Sequence, residues 1–98
     1  MSTTVVRYQT KPDRADENQR LIEKVFAELS ETTPDGLCYS SFRLADGVTF
    51  VHVAQVTTAD GSNPLTQTAA FREFTSAIAE RCEVQPIALE ATVIGSYG

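Results

Sequence analysis

The stretch LCYSSFRLADGVTFVHVAQV, residues 37–56, decides the fold. Leu37–Ala45 and Val48–Val56 are two runs rich in β-branched and aromatic residues, separated only by Asp46-Gly47. An Asp-Gly pair between such runs predicts a hairpin with a two-residue type I′ turn, in which both turn residues take positive φ. The register follows: 45 opposes 48, 43 opposes 50, 41 opposes 52 and 39 opposes 54. Cross-strand partners point to the same side of a sheet. One face therefore carries Phe42, Leu44, Val51 and Val53, and the other carries Tyr39, Ser41, Arg43, Phe50, His52 and Ala54.

On the N-terminal side, Val5–Thr10 reads as a strand closed by Lys11-Pro12. Pro12 and Asp13 open a helix, with Asp13 as its expected N-cap and Asp16 and Glu17 at its positive end. Leu21, Ile22, Val25, Phe26 and Leu29 form an apolar stripe of helical period, and 32–36, Thr-Thr-Pro-Asp-Gly, ends the helix. On the C-terminal side, Thr57–Asn63 is a polar loop. Asn63 is expected to cap a second helix that has Pro64 in its first turn and Phe71, Phe74 and Ile78 on one face, ending near Cys82. Ile87–Tyr97 alternates again and predicts a final strand.

The order strand, helix, strand, strand, helix, strand predicts one α+β domain over residues 1–98, a ferredoxin-like βαββαβ sandwich with an antiparallel sheet. Two right-handed crossovers place both helices on one sheet face. The more apolar face, with Phe42, Val51, Val53 and Leu89, is expected beneath them. The other face, with Tyr39, Phe50, Ala54, Val56 and Ile94, is then left as an apolar patch too large for an isolated monomer. Ninety-eight residues bury only about two-thirds of the unfolded chain's surface, so a partner subunit adds usefully to the core. A homodimer is the expectation, sheet against sheet across a partly polar cavity, with Tyr97 packing across it.

A net charge of −5 with few, scattered basic residues argues against nucleic acid and anionic membranes as partners. The N-terminus lacks a signal-peptide pattern, and no apolar run nears the ~20 residues that span a bilayer, so a cytoplasmic protein is expected. Cys38 and Cys82 form no C-x-x-C pair and read as buried reduced thiols, with a disulfide or metal role as the alternative. No phosphate loop, nucleophile elbow, zinc site or dinucleotide fingerprint is present, and Asp46-Gly47 and Asp60-Gly61 read as turns rather than metal ligands.

Three segments carry a resemblance: Arg7–Pro12 running into the first helix, Thr49–Val53 as the third strand, and Ala70-Phe71-Arg72-Glu73-Phe74 on the second helix. On these the chain resembles the dimeric α/β-barrel superfamily, in the branch named after antibiotic biosynthesis monooxygenases. The resemblance implies two ferredoxin-like subunits forming a barrel, with a ligand inside. It also implies activities that range from cofactor-independent, quinone-forming oxygenation and isomerisation to haem degradation. For this chain no cofactor and no metal are expected. The sequence departs from that pattern in having no Trp, on which the haem-degrading and polyketide-oxidising members rely. Ala70 also stands where a helix His is often found.

His52, the only histidine, is the candidate general base toward an acidic phenol; the bland alternative is a histidine bonded to a neighbour such as Ser41 that fills the interface. Arg7, Arg43 and Glu90 are expected to share its face, either binding an anionic ligand or forming an ion pair that fixes dimer register. Tyr39 and Phe50 complete the candidate ligand site. Tyr8 has the parity of Val6 and is assigned beneath the helices, as a packed tyrosine or a hydroxyl donor. Two functions follow: an oxygenase or isomerase acting on an aromatic or polyketide-like compound, or a non-catalytic dimer that binds a small ligand or a protein.

Overall fold

A computed structural model describes residues Met1–Gly98. Strand β1 (Ser2–Thr10) leads through a 3-10 turn (Pro12–Arg14) into helix α1 (Ala15–Thr32). Strands β2 (Leu37–Arg43) and β3 (Thr49–Val56) form the hairpin. A 3-10 turn (Pro64–Gln67), helix α2 (Ala69–Ser76) and the short helix α3 (Ile78–Arg81) precede β4 (Cys82–Ala91). The four strands lie in the order β2-β3-β1-β4, and every neighbouring pair is antiparallel. This is the expected ferredoxin-like sheet.

The hairpin register is as the sequence predicts, with Arg43 opposite Phe50, Ser41 opposite His52 and Tyr39 opposite Ala54. Its turn differs. Gly47 takes a positive φ of 78°, but Asp46 does not, so the turn is not type I′. The Gly47 amide instead donates to the Leu44 carbonyl, and the Asp46 carboxylate accepts from the amides of Val48 and Thr49. An Asp side chain that can satisfy the following amides stabilises this longer loop as well as it would the tight one.

Three helix expectations also shift. Asp13 lies inside the 3-10 turn and caps nothing, because α1 begins only at Ala15, with Arg14 at its N-cap. Asn63 accepts from the Leu65 amide and so caps the 3-10 turn, while Thr68 caps α2 through the Phe71 amide. The expected single helix is thus three pieces. One reason is visible at its end: the Phe74 carbonyl, the acceptor for Ile78 in an unbroken helix, is 2.6 Å from Arg81 Nη2.

The last strand starts at Cys82 and stops at Ala91 rather than running over Ile87–Tyr97. Ala91 pairs with Thr3 near the start of β1, so later residues have no partner strand within the chain. Pro86 offers no amide to the ladder, and the β1–β4 register shifts beside it, as suits a proline on an edge strand. Cys38 is exposed and Cys82 is buried, and both are free, so they are not a buried pair.

The largest departure is which sheet face the helices cover. Tyr8, Phe50 and His52 are buried beneath them, packed with Ile22 and Val25 of α1 and Phe74 of α2. Phe42 (51% exposed), Ile87 (60%) and Leu89 (66%) lie on the open face. The aliphatic face is outside and the aromatic-polar face is inside, the reverse of the expectation. The reason is pairwise. Tyr8 sits directly opposite Phe50, so a Tyr8 beneath the helices carries Phe50 and His52 with it. Aromatic rings bring the larger burial, and their polar tips are satisfied within the core.

Candidate functional site

His52 is 5% exposed and central to a chain of polar contacts beneath the helices. Its Nε2 lies 2.7 Å from the Tyr8 hydroxyl, and its Nδ1 lies 2.6 Å from the Tyr39 hydroxyl and 2.8 Å from Ser41 Oγ. Strand pairing fixes these approaches. Val6 is the cross-strand partner of His52 on β1, which puts Tyr8 one step along the same face. Ser41 is its partner on β2, with Tyr39 one step away. The rings stack in sequence: Tyr8 on His52 (5.4 Å), His52 on Tyr39 (5.9 Å), and Tyr39 on Phe26 of α1 (5.1 Å).

The network continues behind Tyr8. Asn18 Nδ2 donates to the Tyr8 hydroxyl over 2.8 Å, and Arg81 Nε donates to Asn18 Oδ1 over 3.0 Å. Arg81 is 1% exposed and has no carboxylate partner. Its charge is met by the Asn18 and Phe74 carbonyl oxygens and by the Phe74 ring, 5.3 Å away. No buried side-chain polar atom in the protein lacks a hydrogen-bond partner.

Burial sets the electrostatics. It pushes the His52 imidazole down to about 4 from its ordinary 6.5, so the ring is neutral at pH 7 and its acceptor nitrogen is unprotonated. Burial also raises both tyrosine hydroxyls, Tyr8 strongly, against the opposing hydrogen bond from Asn18. Both therefore stay protonated as donors. Arg81 is lowered by burial but remains a cation, since guanidinium does not deprotonate in proteins.

A cavity of about 260 Å³ adjoins this network. Val6, Tyr8, Tyr39 and His52 form part of its floor, and Leu65, Phe71 and Phe74 belong to its cover. No charged side chain lines it. Such a space suits an uncharged, flat, apolar molecule with one polar edge turned toward the tyrosines and His52.

Of the residues assigned to the site from sequence, His52 and Tyr39 line this cavity and Tyr8 joins them. Phe50 is buried and stacked on Tyr8 at 5.6 Å, and does not line it. Arg43 is on the covered side but near the surface, where it bonds Asp16, Gln19 and the Gly47 carbonyl. Arg7 belongs to the opposite, open face, between Val51 and Ile87. Glu90 is exposed on the edge strand, paired with Thr4. These three charges do not share one site. Asn18 and Arg81 were not legible as site residues. Asn18 leaves one trace, since it falls four residues before Ile22 and seven before Val25, a polar residue on the apolar stripe of α1.

By sequence, no protein-family profile and no curated protein matches this chain. By structure, many solved proteins do. Rv0793 from Mycobacterium tuberculosis superposes with a TM-score of 0.77 at 12% identity, over 99% of this chain and 98% of that one. A crystal structure of an antibiotic biosynthesis monooxygenase gives 0.73 at 14% identity, over 97% and 100%. SnoaB, a cofactor-independent oxygenase from Streptomyces nogalater, gives 0.69 at 15% identity, over 97% and 94%. The chain therefore has the ferredoxin-like α+β fold that these antibiotic biosynthesis monooxygenase-like structures share.

Proposed function

We propose that this chain is a cofactor-independent oxygenase that acts on an uncharged hydroxylated aromatic or polyketide-like molecule held in the His52 cavity. One observation carries the reading: a neutral, buried imidazole held between two tyrosine hydroxyls beside a largely apolar cavity that no charged side chain lines. His52 is the general base, acting through a tyrosine hydroxyl, and Tyr39 is a hydrogen-bond donor to the substrate. Burial disfavours an isolated imidazolium, but much less so beside the anion that the same proton transfer creates. Removing a proton from such a ring system leaves an electron-rich anion able to reduce dioxygen. A ring methylene then becomes a carbonyl with one oxygen atom, and the other leaves as water. The likeness to a structure described as a cofactor-independent oxygenase supports this at the level of fold.

A second reading is favoured by the fact that both His52 nitrogens are already engaged: a non-catalytic module that binds the same kind of ligand. Oxygen uptake separates the two. A set of hydroxylated two- and three-ring aromatics is screened by thermal shift, and each binder is followed with an oxygen electrode. Uptake that drops at least about a hundredfold in His52→Gln is expected, in line with general-base contributions. Binding with no uptake by any ligand leaves the module reading.

The same proposal includes a homodimer formed through the open sheet face, where Phe42 on one edge strand and Val84, Ile87 and Leu89 on the other are exposed. Light scattering should give a mass near twice 10.7 kDa. Ile87→Glu combined with Leu89→Glu should lower it to that of one chain, and a wild-type mass of one chain at all concentrations would remove the dimer.

A further inference from the structure

We infer that Arg81 and Asn18 are positioning residues that lock His52 in the Nδ1-protonated tautomer and thereby give the buried polar chain a single direction. An arginine side chain has only donors. Because Arg81 Nε points at the Asn18 carboxamide from 3.0 Å, the atom facing it is the oxygen, and the amide NH₂ is turned toward Tyr8. The Tyr8 oxygen thus accepts from Asn18 and has one proton left to place. The remaining partner of this buried hydroxyl is His52 Nε2, at 2.7 Å.

The alternative fails on counting. With the proton on Nε2, two N–H groups would converge on the Tyr8 oxygen while the Tyr8 hydrogen had no acceptor within the protein. An unmade hydrogen bond in a buried site is costly enough to skew the tautomers by about tenfold or more. So Tyr8 donates to Nε2, and Nδ1–H is shared between the Tyr39 and Ser41 oxygens, at 2.6 and 2.8 Å. The order of donation runs Arg81, Asn18, Tyr8, His52, Tyr39.

Two consequences follow for the ligand, and both rest on the catalytic reading of His52 given above. The Tyr39 oxygen is occupied as an acceptor, so its own hydrogen is free for the cavity that Tyr39 lines, and the ligand atom meeting it is an acceptor such as a carbonyl or phenolate oxygen. The proton leaves the substrate by the other arm. The substrate O–H breaks as a new O–H forms on Tyr8, the original Tyr8 proton moves to Nε2, and the electron pair stays on the substrate oxygen.

The tautomer can be read in the resting protein, without a substrate. His52 is the only histidine, so ¹⁵N-histidine labelling gives one imidazole whose two nitrogens are assigned from their couplings to the ring protons. At neutral pH the wild type should show a protonated-type Nδ1 and an unprotonated-type Nε2, in a ratio of at least about ten to one. Asn18→Asp presents only acceptors; Tyr8 then turns its hydrogen to the carboxylate, which Arg81 neutralises, and His52 should switch to the Nε2-protonated form. Arg81→Lys keeps a donor and should keep the wild-type tautomer. A wild-type imidazole protonated on Nε2, or on both nitrogens, would overturn the inference without any variant having to fold. An unchanged tautomer in folded Asn18→Asp would overturn it too. The expected spectra together with no oxygen uptake from any ligand would sink the oxygenase reading and leave the lock standing. Uptake with the opposite tautomer would do the reverse.

Discussion

Replacing His52 should change how stability depends on pH more than it changes stability itself at neutrality. In the unfolded chain the imidazole titrates near its ordinary 6.5, and in the folded protein burial moves it to about 4. Between those values the unfolded state holds a proton that the folded state does not, so stability falls as the pH falls through that window. At about 1.4 kcal/mol per pH unit, the wild type should lose about 2 kcal/mol between pH 7 and pH 5 from this one residue. The loss should level off near 3 kcal/mol at pH 4. Against a total of roughly 5–15 kcal/mol for a domain, that is a readable fraction. His52→Gln keeps a polar side chain between the two tyrosine hydroxyls and cannot titrate. Urea unfolding of both proteins, at one concentration and at both pH values, isolates the effect, since the carboxylates are common to the pair. The wild type should approach or fall below the variant as the pH drops. Parallel losses of stability in the two proteins would refute the account, because they would mean that folding does not displace the His52 equilibrium.

Two further substitutions test the frame around the site. Gly36 holds a φ of +80°, and an added Cβ would come within 2.7 Å of Thr58 Cγ2 and 3.1 Å of the Thr58 amide. Gly36→Ala should therefore cost at least ~1–2 kcal/mol from the backbone conformation alone, seen as a lower melting temperature with the sheet signal in circular dichroism retained. Tyr8→Phe keeps the ring stacked on Phe50 and His52 but leaves the Asn18 amide and His52 Nε2 without their shared partner. A loss of ~1–3 kcal/mol in urea unfolding at pH 7 is expected, and a neutral result would show that the network does not bind Tyr8 as described.

Sheet order, hairpin register and the pairing of side chains across β2 and β3 were legible in the sequence because they follow from short-range rules: alternation, turn chemistry and crossover handedness. The choice of covered face was not. Apolar content by residue type favours Val51, Val53, Phe42 and Leu89 for the inside. That measure treats Tyr39, His52 and Arg43 as polar, yet a tyrosine or histidine whose polar atoms find partners within the core is buried as readily as a valine. The deciding contacts are long-range: Tyr8 to Phe50, Asn18 to Tyr8, Arg81 to Asn18. Partners separated by ten to sixty-three residues create no repeating pattern in the sequence. Arg81, a charged residue at the end of α3, carries no local mark of burial and is 1% exposed.

The same contacts bear on whether the network exists for stability. A small domain could fill this space with leucine and phenylalanine, and replacing buried polar or charged groups by well-packed apolar ones is often neutral or stabilising. Here five polar side chains from β1, α1, β2 and α3 are ordered around one imidazole on β3. One of them is a guanidinium that no carboxylate neutralises. Each needs its partner in place, and loss of one leaves the next unsatisfied in a medium where that is costly. Such an arrangement is a poor way to hold a sheet to two helices, a task the stacked rings and the aliphatic stripe of α1 already perform. It is a good way to present a neutral imidazole, in one tautomer, to a cavity that carries no charge of its own. Departures from the simplest core concentrate at functional or strained sites, and the buried polar contacts of this protein converge on His52, where the proposed chemistry is assigned.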